Sequence, residues 1–200
     1  MTNFVQWLDP LFLVNAVGLL GVWLIIFSES GLFFGFFFPG DSLLFTAGFL
    51  ASQGYLNIWL LIIGTMAAAC LGDSVGYWFG AKIGPKIFAR PDSFFFRREH
   101  LERTRAFYAR HGKETIVLAR FVPIVRTFAP ILAGIGRMEY RVFLIYNLAG
   151  GVVWGAGLPL LGYLLGAIVP GVDRYLLVIV AVIIIFSLIP AFRHLRYNEK

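Results

Sequence analysis

The chain has 200 residues, 59% of them hydrophobic, and a mean hydropathy of +0.80, against the roughly 45–50% apolar content of a soluble domain. This excludes a water-soluble fold and marks an integral membrane protein. The formal charge of +6 is concentrated: nine of the 17 basic residues lie between Lys82 and Lys113, and Arg193, Arg196 and Lys200 crowd the end of the chain. The positive-inside rule puts both segments in the cytoplasm, and nucleic acid is not an expected partner.

In chain order, MTNFVQWLDP carries no basic residue and no small-residue cleavage site follows it, so no removed leader is expected. Residues 11–27 form the first predicted transmembrane helix. Residues 30–52 are apolar but broken at Pro39-Gly40; each arm is about nine residues, roughly 14 Å of helix, or half of a 30 Å hydrocarbon core. They are predicted to be a re-entrant hairpin. Residues 55–81 are the next span, and Cys70 within it is the only cysteine, which rules out an internal disulfide or a cysteine metal cluster. Residues 82–113 are a cytoplasmic basic loop. Its RREHLERTRAFYARHG (97–112) reads as an interfacial amphipathic helix with Leu101, Phe107 and Tyr108 on the apolar face and Glu99–Arg103 as an i,i+4 pair. His100 and His111 lack metal-ligand spacing, and no cofactor motif is present.

The remaining elements follow from charge topology. RMEYR (137–141) is best placed in the cytoplasm, so 142–169 crosses outward and 175–192 returns. Residues 114–136, ETIVLARFVPIVRTFAPILAGIG, must then enter and leave from the cytoplasmic side, as a second re-entrant hairpin with breaks at Pro123 and Pro130. A shift of 86 residues lays Ala47-Gly48 on Ala133-Gly134, Gly64 on Gly150, and GYWFGA (76–81) on GYLLGA (162–167). The expected architecture is an all-α integral membrane protein. It is an inverted repeat with two opposed re-entrant helical hairpins, about four transmembrane helices and a cytoplasmic amphipathic helix, an arrangement typical of secondary transporters.

Five charges interrupt the apolar runs: Glu29, Asp41, Asp73, Arg120 and Arg126. Each would cost about 2.5–3.5 kcal/mol at mid-membrane unless paired or hydrated. They could form ion pairs that merely hold the hairpins together. Alternatively, Arg120 and Arg126 could bind an anionic headgroup, since the arginine fork suits phosphate, while Glu29 and Asp41 exchange protons. Glu29 is expected at the external mouth, as the point of proton entry, and Asp41 beside the arginines. Asp73 is either an accessory proton site or a partner for Lys82 or an arginine.

Four features carry a family resemblance: Glu29 before the first hairpin, F-x-P-G-D-x-x-L at 37–44, G-D-x-x-G-Y-x-x-G at 72–80, and A-R-F-V-P-x-V-R-T-F-A-P-x-x-A-G at 119–134. The chain resembles the bacterial DedA family of inner-membrane proteins, also known as the SNARE-associated or VTT superfamily. Lys82 stands where that family usually has arginine. The resemblance implies a multi-pass protein of the bacterial inner membrane, with a cytoplasmic C-terminus. It further implies that the protein moves undecaprenyl phosphate and depends on the proton motive force. The family's important acids fall on Glu29 and Asp41, and its important arginines on Arg120 and Arg126. An uncoupled phospholipid scramblase and a non-transporting envelope-assembly protein stay open as alternatives, as does a homodimer. An enzyme is not expected. CLGDSVG is similar to the GxGD of intramembrane aspartyl proteases, but Cys70 replaces the glycine, and neither HExxH nor GxSG occurs.

Overall fold

The computed structural model describes residues 10–31, 40–87 and 114–168. Within them the chain is helical: α1 (Pro10–Gly31), α2 (Gly40–Ser52), α3 (Ile58–Ile87), a short helical segment at 114–119, α4 (Pro123–Ile135) and α5 (Tyr140–Ile168). There is no strand among the described residues. Pro39 and the first arm of the first hairpin, the interfacial helix at 97–112 and the predicted span 175–192 lie outside them.

Hydropathy locates these helices, but backbone chemistry sets their ends. Asn57 Oδ1 accepts the N–H groups of Trp59 (2.9 Å) and Leu60 (3.1 Å), an N-cap that satisfies two orphan donors. The helix therefore starts at Ile58, after a turn in which Gly54 has a φ of +84°, rather than at residue 55. It then runs past Lys82, because a charge ends an apolar run without ending a helix. The first predicted span is also not one straight rod. α1 is broken at Gly18, whose φ of 59° and ψ of −159° are non-helical, and it continues through Glu29 to Gly31.

In residues 114–136, predicted as the second hairpin, the helical run is interrupted at residues 120–122. Arg120, Phe121 and Val122 each donate to the carbonyl three residues earlier (3.1–3.3 Å), the tightened turn in which helices often end. Val122 is extended, and Pro123 opens α4, a position where its missing N–H costs nothing. Pro130, expected as a second break, lies inside α4. Its ring removes the donor that would have met the Arg126 carbonyl, yet the helix continues to Ile135. α4 ends in a Schellman motif: Met138 N–H bonds the Ala133 carbonyl (3.0 Å) and Arg137 N–H the Gly134 carbonyl (3.1 Å). Arg137 takes the left-handed position, at a φ of 57°, that glycine usually fills.

Ile58–Ile83 and Tyr140–Ile168 are long and apolar enough to cross a bilayer. Their outer faces carry exposed Trp59, Ile63, Leu71 and Trp78 on α3, and Ile145, Val153 and Leu161 on α5. α2 differs, being buried from Ser42 through Ala51. A short helix that is apolar all round belongs inside a bundle, and α2 packs chiefly on α5, with Leu43, Leu44, Phe45, Phe49 and Trp154 in one core cluster.

The packing is crossed. α2, from the first half, lies on α5; α4, from the second half, lies on α3. Both contacts bring backbone against backbone at glycine. A Cβ at Gly48 would strike the Pro159 carbonyl and one at Gly162 the Phe45 carbonyl. At the other crossing, Gly134 faces the Tyr77 carbonyl and Gly80 the Ile131 carbonyl. In the hairpin arms the matching residues are 86 apart, as the sequence repeat has them. In the long helices Gly80 takes the part of Gly162, one helical turn away from the alignment that lays GYWFGA on GYLLGA.

Substitution tests this packing. Gly134→Leu should cost about 1–3 kcal/mol or more through overpacking. Gly157→Ala, at a position with open space around it, should be neutral or stabilising by up to about 1 kcal/mol. Thermal unfolding of detergent-purified protein measures both. Equal melting temperatures for the two variants would contradict the close crossing.

Candidate functional site

Arg126 lies in the first turns of α4, and its guanidinium, 2% exposed, is met from three other helices. Its NH1 donates to Asp41 Oδ1 of α2 at 2.9 Å, and its NH2 to Glu29 Oε1 of α1. The face of the group lies over the indole of Trp154 of α5, with Cζ 4.6 Å from the ring centroid, a cation–π contact. Trp154 Nε1 in turn donates to Asp41 Oδ1 (2.9 Å). The second oxygen of Glu29 sits beside Gly40, the first residue of α2, in space that any side chain there would occupy. The carboxylate thus rests at a helix N-terminus, where the macrodipole favours negative charge.

Arg120 occupies the turn between residues 114–119 and α4, and it too is buried. Its NH2 donates to Asp73 Oδ2 of α3 (2.5 Å) and to Asn147 Oδ1 of α5 (2.5 Å). Its stem runs across Gly150, where a Cβ would lie 2.8 Å from the arginine Cδ. Asn147 is fully buried and uses its other end to donate to the Cys70 carbonyl (3.1 Å), while Cys70 Sγ points back to the Asn147 carbonyl (3.7 Å). These bonds tie α3 to α5 at the level of the arginine. The two clusters adjoin, since Asp73 lies within Coulombic reach of both arginines.

All five charges singled out in the sequence are therefore gathered in one buried region. Asp73 partners Arg120; Lys82 is exposed. Asp41 lies beside Arg126 as expected; Glu29 meets the same guanidinium and its side chain is only 3% exposed, against 21% for Asp41. Asp41 is thus the more exposed of the two acids, on the first turn of α2, while Glu29 reaches the start of that helix at Gly40. Of the predicted hairpin breaks, Gly40 opens α2 and Pro123 opens α4, whereas Pro130 breaks nothing. Sequence reasoning missed Asn147 and Trp154. Asn147 had a signal, as the one carboxamide in the apolar run 142–168; Trp154 had none, since tryptophan is ordinary in a membrane helix.

Chemically, the region offers two guanidinium groups and three carboxylates. It can hold an anion and exchange protons.

Known sequences place the chain. The VTT domain profile matches residues 38–164. Protein DedA of Escherichia coli K12 is 43% identical over 198 residues, covering 95% of this chain and 90% of its own. An uncharacterised membrane protein of Mycobacterium leprae is 42% identical over 190 residues, covering 92% and 85%. The inner membrane protein YghB of E. coli K12 is 33% identical over 150 residues, covering 75% and 68%. No solved structure matches. The chain is a membrane protein and belongs to the VTT-domain family, that of DedA.

Proposed function

We propose that this protein is a transporter of the bacterial inner membrane that flips an anionic, phosphate-bearing lipid between leaflets, with undecaprenyl phosphate as the first candidate, and that protons drive it. The observation that carries the reading is the buried clasp of Arg126 by Glu29 and Asp41, beside the pair Arg120–Asp73. Three acids face two arginines, so with all five ionised the region is net negative. A phosphate entering in that state would meet repulsion. Protonating Glu29 or Asp41 leaves two acids against two arginines and removes the net negative charge that opposes the anion. Proton uptake and lipid binding are then linked through charge balance, and the reciprocity of linkage makes each favour the other.

The crossed packing of α2 on α5 and α4 on α3 supports an inverted repeat whose hairpins enter from opposite faces and meet near mid-depth. Backbone breaks of this kind are tolerated at membrane depth where protein or a wet cavity surrounds them. In this topology the C-terminus is cytoplasmic. The partners are the lipid and protons.

Liposomes carrying the purified protein and a labelled polyprenyl phosphate, with and without a pH gradient, provide the test. Arg120→Ala and Arg126→Ala should each lower the transport rate roughly ten- to a hundredfold, the loss expected for a charged hydrogen bond. Wild-type rates in a correctly folded Arg120→Ala variant would rule the phosphate site out, and wild-type rates in Arg126→Ala would rule out a part for its clasp with Glu29 and Asp41.

The acids make a separate prediction. The groups facing the Arg126 clasp are Glu29 from α1, Asp41 from α2, Asp73 from α3 and Arg120 from the turn before α4. Wild-type transport should rise as pH falls on the side from which the acids are protonated. Glu29→Gln and Asp41→Asn should flatten that profile and slow driven transport by roughly five- to a hundredfold, the usual span of a coupling energy. A wild-type protein that moves phospholipids at a pH-independent rate would instead be an uncoupled scramblase.

A further inference from the structure

A guanidinium has five N–H donors, and the two buried arginines use theirs differently. Arg126 directs NH1 and NH2 to two separate carboxylates, and one of its faces is covered by Trp154. Any anion approaching its end must displace Asp41 or Glu29. Arg120 directs one nitrogen, NH2, to both Asp73 and Asn147, while its Nε and NH1, both fully buried, have no hydrogen-bond partner among the described residues. Arg126 Nε lacks a partner as well, but each of its two terminal nitrogens is engaged by an acid, whereas on Arg120 the whole of NH1 is uncommitted. Buried donors are normally satisfied, and an unsatisfied charged one is the costliest kind. Arg120 carries a single counter-charge, so its pair is neutral, whereas Arg126 is held between two acids.

From this asymmetry we infer that the two arginines have separate tasks. Arg120 contacts the phosphate directly, through NH1. Arg126 is a positioning residue that holds Glu29 and Asp41 together and does not touch the headgroup. Asn147 is a second positioning residue. With its amide fixed between the Cys70 carbonyl and Arg120 NH2, it keeps the guanidinium turned so that NH1 stays available. Asp73 alone could rotate with the arginine, but an amide bonded at both ends to different helices cannot. This inference rests on the proposed transport of a phosphate lipid and assigns the parts of that same site.

The test is equilibrium binding of farnesyl phosphate and of farnesol to the full-length protein in detergent. The ratio of the two affinities isolates the phosphate contact from general effects on the lipid groove, which a purely structural role would alter for both ligands alike. Arg120→Lys keeps the charge opposite Asp73 but loses the fork, and should lower the ratio about tenfold or more. Arg126→Lys should leave it within about threefold. Should Arg120→Lys fail to fold, Asn147→Asp serves in its place. It sets a second negative charge beside Arg120 and should lower the ratio about fivefold or more, whereas Trp154→Phe, on the Arg126 side, should hold it within about twofold. Equal losses on the two sides, or a loss confined to the Arg126 side, would overturn the assignment. A wild-type protein with no preference for the phosphate over the alcohol would overturn the transport proposal itself, and the assignment with it.

Discussion

Two guanidinium groups sealed inside an apolar bundle govern this structure. Burying a charge without partners costs several kcal/mol even after the surroundings relax, so each arginine has to be met by acids or acceptors in correct geometry. Those groups come from different elements: Glu29 from α1, Asp41 from α2, Asp73 from α3, and Asn147 and Trp154 from α5. Five of the described helices are thereby tied to two side chains, α4 bringing Arg126 itself. The glycines at 40 and 150 belong to the same constraint, because a methyl group at either would press on Glu29 or Arg120. Apolar packing alone would tolerate some sliding of these helices; the ion pairs define a register.

The crossed contacts explain how residues so distant in sequence meet. Arg126 is 97 residues from Glu29 and 85 from Asp41. It reaches both because the short arm α4 is applied to α3 and the short arm α2 to α5, each half of the chain lending its arm to the other. Glycines at both crossings let the backbones touch, so that α2 lies inside the bundle and α4 lies close against α3. Charge at the centre and close backbone contact at the flanks are then two consequences of one exchange.

Much of this was legible in the sequence, and for a simple reason. A charge inside a long apolar run is expensive, so Glu29, Asp41, Asp73, Arg120 and Arg126 could be picked out without any structure, as could the breaks at Gly40 and Pro123. Pairings were less legible. Nothing local says that Asp73 meets Arg120 rather than Lys82, nor that Glu29 is the more buried of the two acids and Asp41 the more exposed; those depend on how helices cross. Helix ends were obscured because hydropathy does not register an N-cap such as Asn57 or a left-handed residue such as Arg137. Pro130 misled because a proline lowers helix stability without always ending the helix: neighbouring packing, here against α3, can hold it in place. Trp154 was invisible because its role rests on the orientation of one ring beneath one guanidinium.

The two clusters also differ in how readily they could change. Arg120, Asp73 and Asn147 form a neutral set braced by the Asn147–Cys70 bonds between α3 and α5, the two longest described helices. Arg126 carries one more acid than it can neutralise, and one of those acids, Asp41, stands on the first turn of a short arm and is a fifth exposed. Adding a proton to the first set would break its only ion pair. Adding one to the second leaves Arg126 still paired and relieves the repulsion between Glu29 and Asp41. Protonation is therefore far less disruptive at the Arg126 clasp than at Arg120. In a transporter of the kind proposed, that difference would let the clasp follow proton concentration while the Arg120 set keeps its geometry for the lipid, with Asp73 close enough to Arg126 to sense the change in charge between them.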